Sequence, residues 1–315
     1  MRIGYIYTLC LVLITSIGFF AFQDFAPHLF DSAYGALAGV FFAEKISPDV
    51  IRAEYANRTL KVLIVPGHEQ TTGGTEYKDV AERDLVLQLG GYLQDELSRD
   101  LHLSSQLVRA GTGDFADWFK TYMAENNIDV QVFRAAAQIQ TLTGVAKGLY
   151  ASRVAVDHNE APTATALVLY GINKYANENK VNLVLHLHLN DYPGRKVNKV
   201  GKYQGFAIYE PEGQLPNARA SKEMARALSG ELAHVQPVSN YKKEKPGVVE
   251  DQELIAVGSN GTRDGISLLI EYGYIYEKKF TDPTLRDQAL RALAHATYLG
   301  IENYFNQKIA LSIPR

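Results

Sequence analysis

The stretch "VNLVLHLHLND", residues 181–191, constrains the fold more than any other, because it sets His186, His188 and Asn190 at alternating positions in an otherwise apolar segment. A strand turns residues two apart to one face, so both imidazoles and the amide stand together where the chain leaves a sheet. Such a group is either a polar patch in a core or a metal site. Two other apolar runs end in the same manner. "KVLIV", residues 61–65, is β-branched, stops at Pro66-Gly67 and is followed at once by His68. "GISLLIEYGYI", residues 265–275, carries Glu271 in its interior. Ligands of open α/β sheets bind beyond the carboxyl ends of the strands, so these polar residues converge if the three strands are parallel neighbours.

Helical spacing fills the intervals. Leu85, Leu89, Tyr92, Leu93 and Leu97 predict a helix over residues 79–98 that packs on the first strand, and strand followed by helix indicates α/β. "GFAIYE" from Gly205 reads as a strand, and "NARASKEMARALSGELAHV" as a helix through Met224, Leu228 and Leu232. "SNYKKEKPG" breaks the pattern as a loop. Asp282 and Pro283 form an N-cap and first-turn pair opening a last helix through Phe305. Residues 107–165 are less regular: "DFADWFKTYMAENN" reads as an amphipathic helix, "DVQVFR" as a strand and "TLTGVAKGLYASR" as helix or loop. The expectation is one α/β domain over residues 61–310, with a twisted, mostly parallel or mixed sheet flanked by helices.

The formal net charge of −3 shows no basic excess that would suggest a nucleic-acid partner. Residues 3–22 contain no charged side chain and at helical rise would span roughly 30 Å, the thickness of a bilayer core. The run exceeds the apolar stretch of about 7–15 residues in a secretory signal and lacks a clear cleavage site. An uncleaved transmembrane signal-anchor over residues 1–22 is therefore expected, with a cleaved signal peptide and a secreted body as the alternative. Arg2 precedes it and Asp24, Asp31 and Glu44 follow, which leaves the body outside the cytoplasm. Residues 33–43 form a shorter apolar stretch of interfacial character. Residues 23–60 are expected to be a juxtamembrane linker, polar and unpatterned from residue 44 onward. The sole cysteine, Cys10, lies inside the apolar run, so the exported body forms no disulfide and must hold any metal through His, Asp or Glu.

Zinc in a hydrolytic site usually has three protein ligands and one water. His68 and His188 offer two. Glu82 is the foremost carboxylate, in the first turn of the helix after the His68 loop, with Glu76 and Glu69 competing on distance. Asp79-Val80-Ala81-Glu82 also fits a capping box, in which Glu82 would serve its helix terminus instead. His186, a full strand repeat deeper than His188, reads as a core residue or a support to the site. Glu271 is the hardest to explain without function, since an unpaired carboxylate in such surroundings tends to neutralise. A raised pKa suits a general base.

Taken in order, "VPGHEQTTGGTEYKDVAERDL", "VNLVLHLHLND", "GFAIYE" and "SLLIEYGYI" resemble the zinc-dependent N-acetylmuramoyl-L-alanine amidases of the amidase type 3 family, which cleave bacterial peptidoglycan. The closing "AHATYLGIENYF" is similar to that family's last helix. The resemblance implies a zinc-exopeptidase-like fold, Zn2+ held by His68, Glu82 and His188, and Glu271 as the catalytic base. It implies cleavage of the bond between the lactyl group of N-acetylmuramic acid and L-alanine, with Asn190 orienting a ligand or the substrate. It favours Glu82 as ligand over Glu82 as cap.

The chain departs from the family pattern at Val65, where an acidic residue often precedes Pro-Gly-His, and at Glu69, where Gly often follows. The long interval between Glu82 and His188 implies an insertion at about residues 107–165. Its Phe115, Trp118, Phe119 and Tyr122 would either form a lid or regulatory element over the cleft or bury the insertion against the body. No cell-wall-binding repeat is recognisable, and the N-terminal anchor would replace one by raising the effective concentration near peptidoglycan. Any regulatory protein partner is unidentified by the sequence. A zinc peptidase acting within the stem peptide and a non-catalytic membrane-anchored wall-binding protein are the alternative readings.

Overall fold

The computed structural model describes residues 45–69, 74–111, 113–153, 161–192 and 194–307. The apolar stretches 3–22 and 33–43 lie outside these residues, and so does their expected membrane role. No helix among the described residues is long and apolar enough to cross a membrane.

Six strands form one sheet: β1 (Leu60–Pro66), β4 (Leu103–Leu107), β5 (Leu183–Asn190), β6 (Ala207–Pro211), β7 (Val248–Asp251) and β8 (Ile266–Tyr274), in the order β4-β1-β5-β8-β6-β7. Four pairings are parallel and β6 runs antiparallel to β8, so the sheet is mixed, as expected. A small ribbon of β2 (Glu76–Tyr77) and β3 (Val80–Ala81) stands apart and precedes the first long helix.

The central strands are apolar on both faces because helices cover both. On one face, Val62, Ile64, Leu183, Leu185, Leu187, Ile266, Leu268 and Ile270 pack with α2 (Glu82–Leu97), α6 (Ala218–Leu232) and α7 (Pro283–Asn306). On the other, Leu63, Val65 and Val184 pack with Phe119 of α3 (Asp117–Glu125) and with Ile172 and Ala176 of α5 (Thr163–Glu178). His186, His188 and Asn190 share Val184's parity and stand on this second face. The expected cap of α7 is present: the Asp282 carboxylate accepts the Thr284 backbone N–H at 3.0 Å, with Pro283 at the first position.

Two expectations need correction. Residues 48–57, assigned to a linker, form α1 (Pro48–Asn57), capped by Ser47. Its Ile51 is buried in the core, and Arg52 donates to the Tyr304 carbonyl at 3.0 Å and pairs with Glu223 at 2.8 Å, so the segment is docked. The Ser-Pro-Asp start signal was present in the sequence and outweighs the absence of a strong apolar stripe. "DVQVFR" is helical, lying within α4 (Asn127–Ala146). Its alternation of Val130 and Val132 reflects a helix with apolar residues on opposite faces. Neither β4 nor α5 was anticipated. The aromatics of residues 115–122 pack against the sheet: Phe119 is fully buried with Leu63 and Val65, and Phe115, Trp118 and Tyr122 pack on the same cluster.

Glu210 in β6 is a buried carboxylate whose two oxygens have no hydrogen-bond partner among the described residues, and Lys222 Nζ, which also pairs with Glu250, lies 3.9 Å away. Burial pushes its carboxyl up from 4.5 to about 8. Between those values the folded state keeps a proton that the unfolded state releases, so stability falls as pH rises, by up to ~1.4 kcal/mol per pH unit. Urea unfolding of Glu210→Gln should therefore show greater stability than the parent at pH 8 and no advantage at pH 4. Equal curves at both pH values would remove this linkage.

Candidate active site

Strands β1, β5 and β8 are adjacent and parallel, so the polar residues at their ends do converge. Pro66 pairs with Leu187, and His188 lies opposite Glu271. The Gly67 N–H extends the pairing to the Leu187 carbonyl at 2.8 Å, and the chain then turns out of the sheet at His68 with φ of 55°. This turn requires glycine on both sides. A Cβ on Gly67 would stand 2.3 Å from His188 Cε1, and one on Gly74, whose φ is 98°, would stand 2.9 Å from His68 Cγ. Arg109, at the end of β4, is fully buried and donates through Nη1 to the carbonyls of Gly67 at 3.0 Å and Arg83 at 2.9 Å. It thereby ties the His68 turn to the start of α2. Sequence reasoning missed Arg109, since nothing local distinguishes it from a surface arginine.

Glu82 is the first residue of α2, and no side chain caps that helix. The capping box is not formed. Instead, its buried carboxylate reaches across to both histidines: His188 Nδ1 lies 3.0 Å from Oε1, and His68 Nε2 lies 3.4 Å from Oε2. Oε1 also accepts the Leu189 N–H at 3.1 Å, and Oε2 the Thr75 N–H at 2.9 Å. Burial works to raise its pKa, but hydrogen bonds and charge from His188 and His68 together hold it below the usual carboxylate range. One ligand atom from each of His68, Glu82 and His188 lies within 4.8 Å of the others. The competitors fall outside this cluster, Glu76 being turned toward Arg83 at 2.9 Å.

The donor set fits a catalytic metal. Two imidazoles and one carboxylate match a known zinc arrangement, and the histidines remain 30 % and 18 % exposed, leaving an open side for substrate. Glu271 borders this cluster. Its side chain is half-buried, and Oε2 is buried and has no partner among the described residues. Burial, followed by the negative charges of Glu82 and Glu244, pushes its carboxyl well above the ordinary range.

Residues 62–303 match the Amidase_3 family, N-acetylmuramoyl-L-alanine amidase. The chain belongs to this amidase family. The CwlD amidase of Clostridioides difficile, solved in complex with the GerS lipoprotein, is 18% identical with a TM-score of 0.50, covering 78% of this chain and 98% of that one. An N-acetylmuramoyl-L-alanine amidase of Clostridium difficile 630 is 17% identical at a TM-score of 0.49, covering 80% and 100%. The N-acetylmuramyl-L-alanine amidase of Mycobacterium smegmatis is 14% identical at 0.48, covering 79% and 97%. No curated protein sequence matches the chain. The CwlD amidase shares the fold at low sequence identity, and by its family the chain's activity is that of a peptidoglycan amidase.

The amidase carries two further buried groups beside the site. His186 lies in the floor of a recess of about 640 Å³ next to His68 and His188, with Phe115, Leu169, Leu254 and Leu269 among its walls. Burial, then the charges of His188 and Arg263, pushes its pKa down to about 3, so this imidazole stays neutral and belongs to the core. Asn190 is held by Glu244: Nδ2 donates to Glu244 Oε1 at 2.6 Å. Glu244 also accepts from the Tyr209 hydroxyl at 3.1 Å, the Tyr274 hydroxyl at 3.0 Å and the Ser239 hydroxyl. Four neutral donors stabilise this buried carboxylate. Glu244 escaped notice because "KKEK" reads as a solvated loop.

Proposed function

We propose that this amidase hydrolyses the bond between N-acetylmuramic acid and L-alanine, with Zn2+ held by His68, Glu82 and His188 and with Glu271 as general base. The observation that carries the reading is the pairing of a His-Glu-His cluster with an unpartnered buried carboxyl oxygen on the neighbouring strand. Bound zinc supplies polarisation of the scissile carbonyl and lowers the pKa of a water toward neutrality. Glu271 takes the proton of the attacking water and returns it to the departing L-alanine nitrogen. Glu82 orients both imidazoles while its own oxygens are fixed by the backbone N–H groups of Leu189 and Thr75. Asn190, clamped by Glu244, presents its carbonyl oxygen to a substrate N–H. Peptidoglycan places the reaction outside the cytoplasm, where residues 3–22 would tether the enzyme to the membrane.

Mass spectrometry of products released from purified peptidoglycan tests this reading. Intact stem peptides with a free L-alanine amino terminus are expected, and they should vanish with chelator and return with zinc. Cleavage within the stem peptide would replace the amidase assignment with a peptidase. Release that persists in chelator would remove the metal.

A further inference from the structure

Helix α4 is apolar on two opposite sides. Val130, Ala137 and Gly144 are buried, and at about 100° per residue they fall on one line that faces α5 and the turn Ser259–Gly261. Half a turn away run Ile128, Val132, Ala135, Ile139, Leu142 and Ala146. The large residues of this second stripe are open to solvent: Ile128 is 76% exposed, Val132 61%, Ile139 65% and Leu142 68%. Scattered exposed aliphatics are ordinary, but a continuous row of them on one helix marks an interaction surface.

The spacing of the row identifies its partner as a helix. Its steps alternate four and three residues, the heptad seam of packed helices. The stripe lacks the features of a membrane-surface helix, which carries Lys and Arg along its polar flank. Its flanks hold Gln131, Gln138 and Thr143, and the Arg134 guanidinium lies over the Tyr170 ring, 5.8 Å from its centroid, on the inner side.

We propose that α4 is the interface of a two-fold homodimer, packed antiparallel on α4 of a second copy. The row is self-complementary about Ala135. A two-fold axis there sets Ile128 level with Leu142, brings Val132 within one residue's rise of Ile139, and sets Ala135 against its own copy, whose small side chain lets the backbones approach. This is the pattern of an isologous contact. No charged residue lies in the row, so the pairing meets no like-charge repulsion. The four large residues of the row offer on the order of 450 Å² of apolar surface per copy, below the area of a standard stable interface, which implies a weak, reversible dimer.

The test uses the full chain in detergent. Sedimentation equilibrium should give a monomer–dimer equilibrium at micromolar concentration, and Ile139→Asp should weaken it at least tenfold without changing peptidoglycan hydrolysis. In a Cys10→Ser background, Ala135→Cys should be crosslinked efficiently by a short bis-maleimide. Lys147→Cys should not be, because antiparallel copies hold those positions about 36 Å apart. A monomer at 50 µM (a concentration of roughly ten times the expected dissociation constant), a dimer indifferent to Ile139→Asp, or crosslinking through Lys147→Cys would each overturn the proposal. Loss of binding to neutral lipid vesicles in Ile139→Asp, with the parent monomeric, would assign the stripe to a membrane instead.

Discussion

Glu271→Gln is expected to lower amidase turnover by about 10²–10⁴-fold, the range supplied by a positioned acid–base group. The substitution keeps the shape of the side chain and removes its ability to take a proton. It should leave zinc content intact, because the carboxylate that faces both histidines belongs to Glu82. Folding stability should hold or rise, since a buried carboxyl oxygen without a partner is replaced by a neutral group. Rates of stem-peptide release, metal analysis and urea unfolding read the three quantities separately. A fall of less than tenfold would deprive Glu271 of its role as base, and loss of zinc together with activity would make it a ligand.

The centre of the fold was legible because its strands are apolar runs interrupted by polar residues that packing does not explain. His68, His188 and Glu271 stood out in this way, and the parallel adjacency of β1, β5 and β8 then brings them together. Glu82 could not be decided from local pattern, since the capping box and the ligand role use the same tetrapeptide. The tertiary placement, with Glu82 bonded to the Thr75 N–H and to His188, shows that the capping box is not formed. Arg109 and Glu244 were invisible for a related reason. Each sits among ordinary polar neighbours in sequence, and each gains its role from carbonyls or hydroxyls far along the chain. The misreading of "DVQVFR" has a different cause. Val130 faces the core and Val132 faces solvent, so a helix apolar on both sides imitates the period of a strand over a short window.

Glu82→Gln should abolish high-affinity zinc binding, with a loss of at least about 100-fold, and should also destabilise the metal-free protein. The second effect follows from the hydrogen bonds. Both oxygens of Glu82 already accept a backbone N–H, from Leu189 at 3.1 Å and from Thr75 at 2.9 Å. An amide has one oxygen, so whichever way it turns, its NH2 meets one of these donors and leaves a buried N–H unsatisfied, at a cost of roughly 1–3 kcal/mol. His188→Ala removes a proposed ligand without creating that conflict, so its metal-free stability should suffer less from this source. Thermal unfolding with and without added zinc distinguishes the two contributions. The parent should rise in Tm with zinc, while both variants should show no rise, and Glu82→Gln alone should reveal the backbone conflict in chelator. A zinc-dependent rise of Tm preserved in Glu82→Gln would confine Glu82 to orienting the histidines and pass the third ligand to another group.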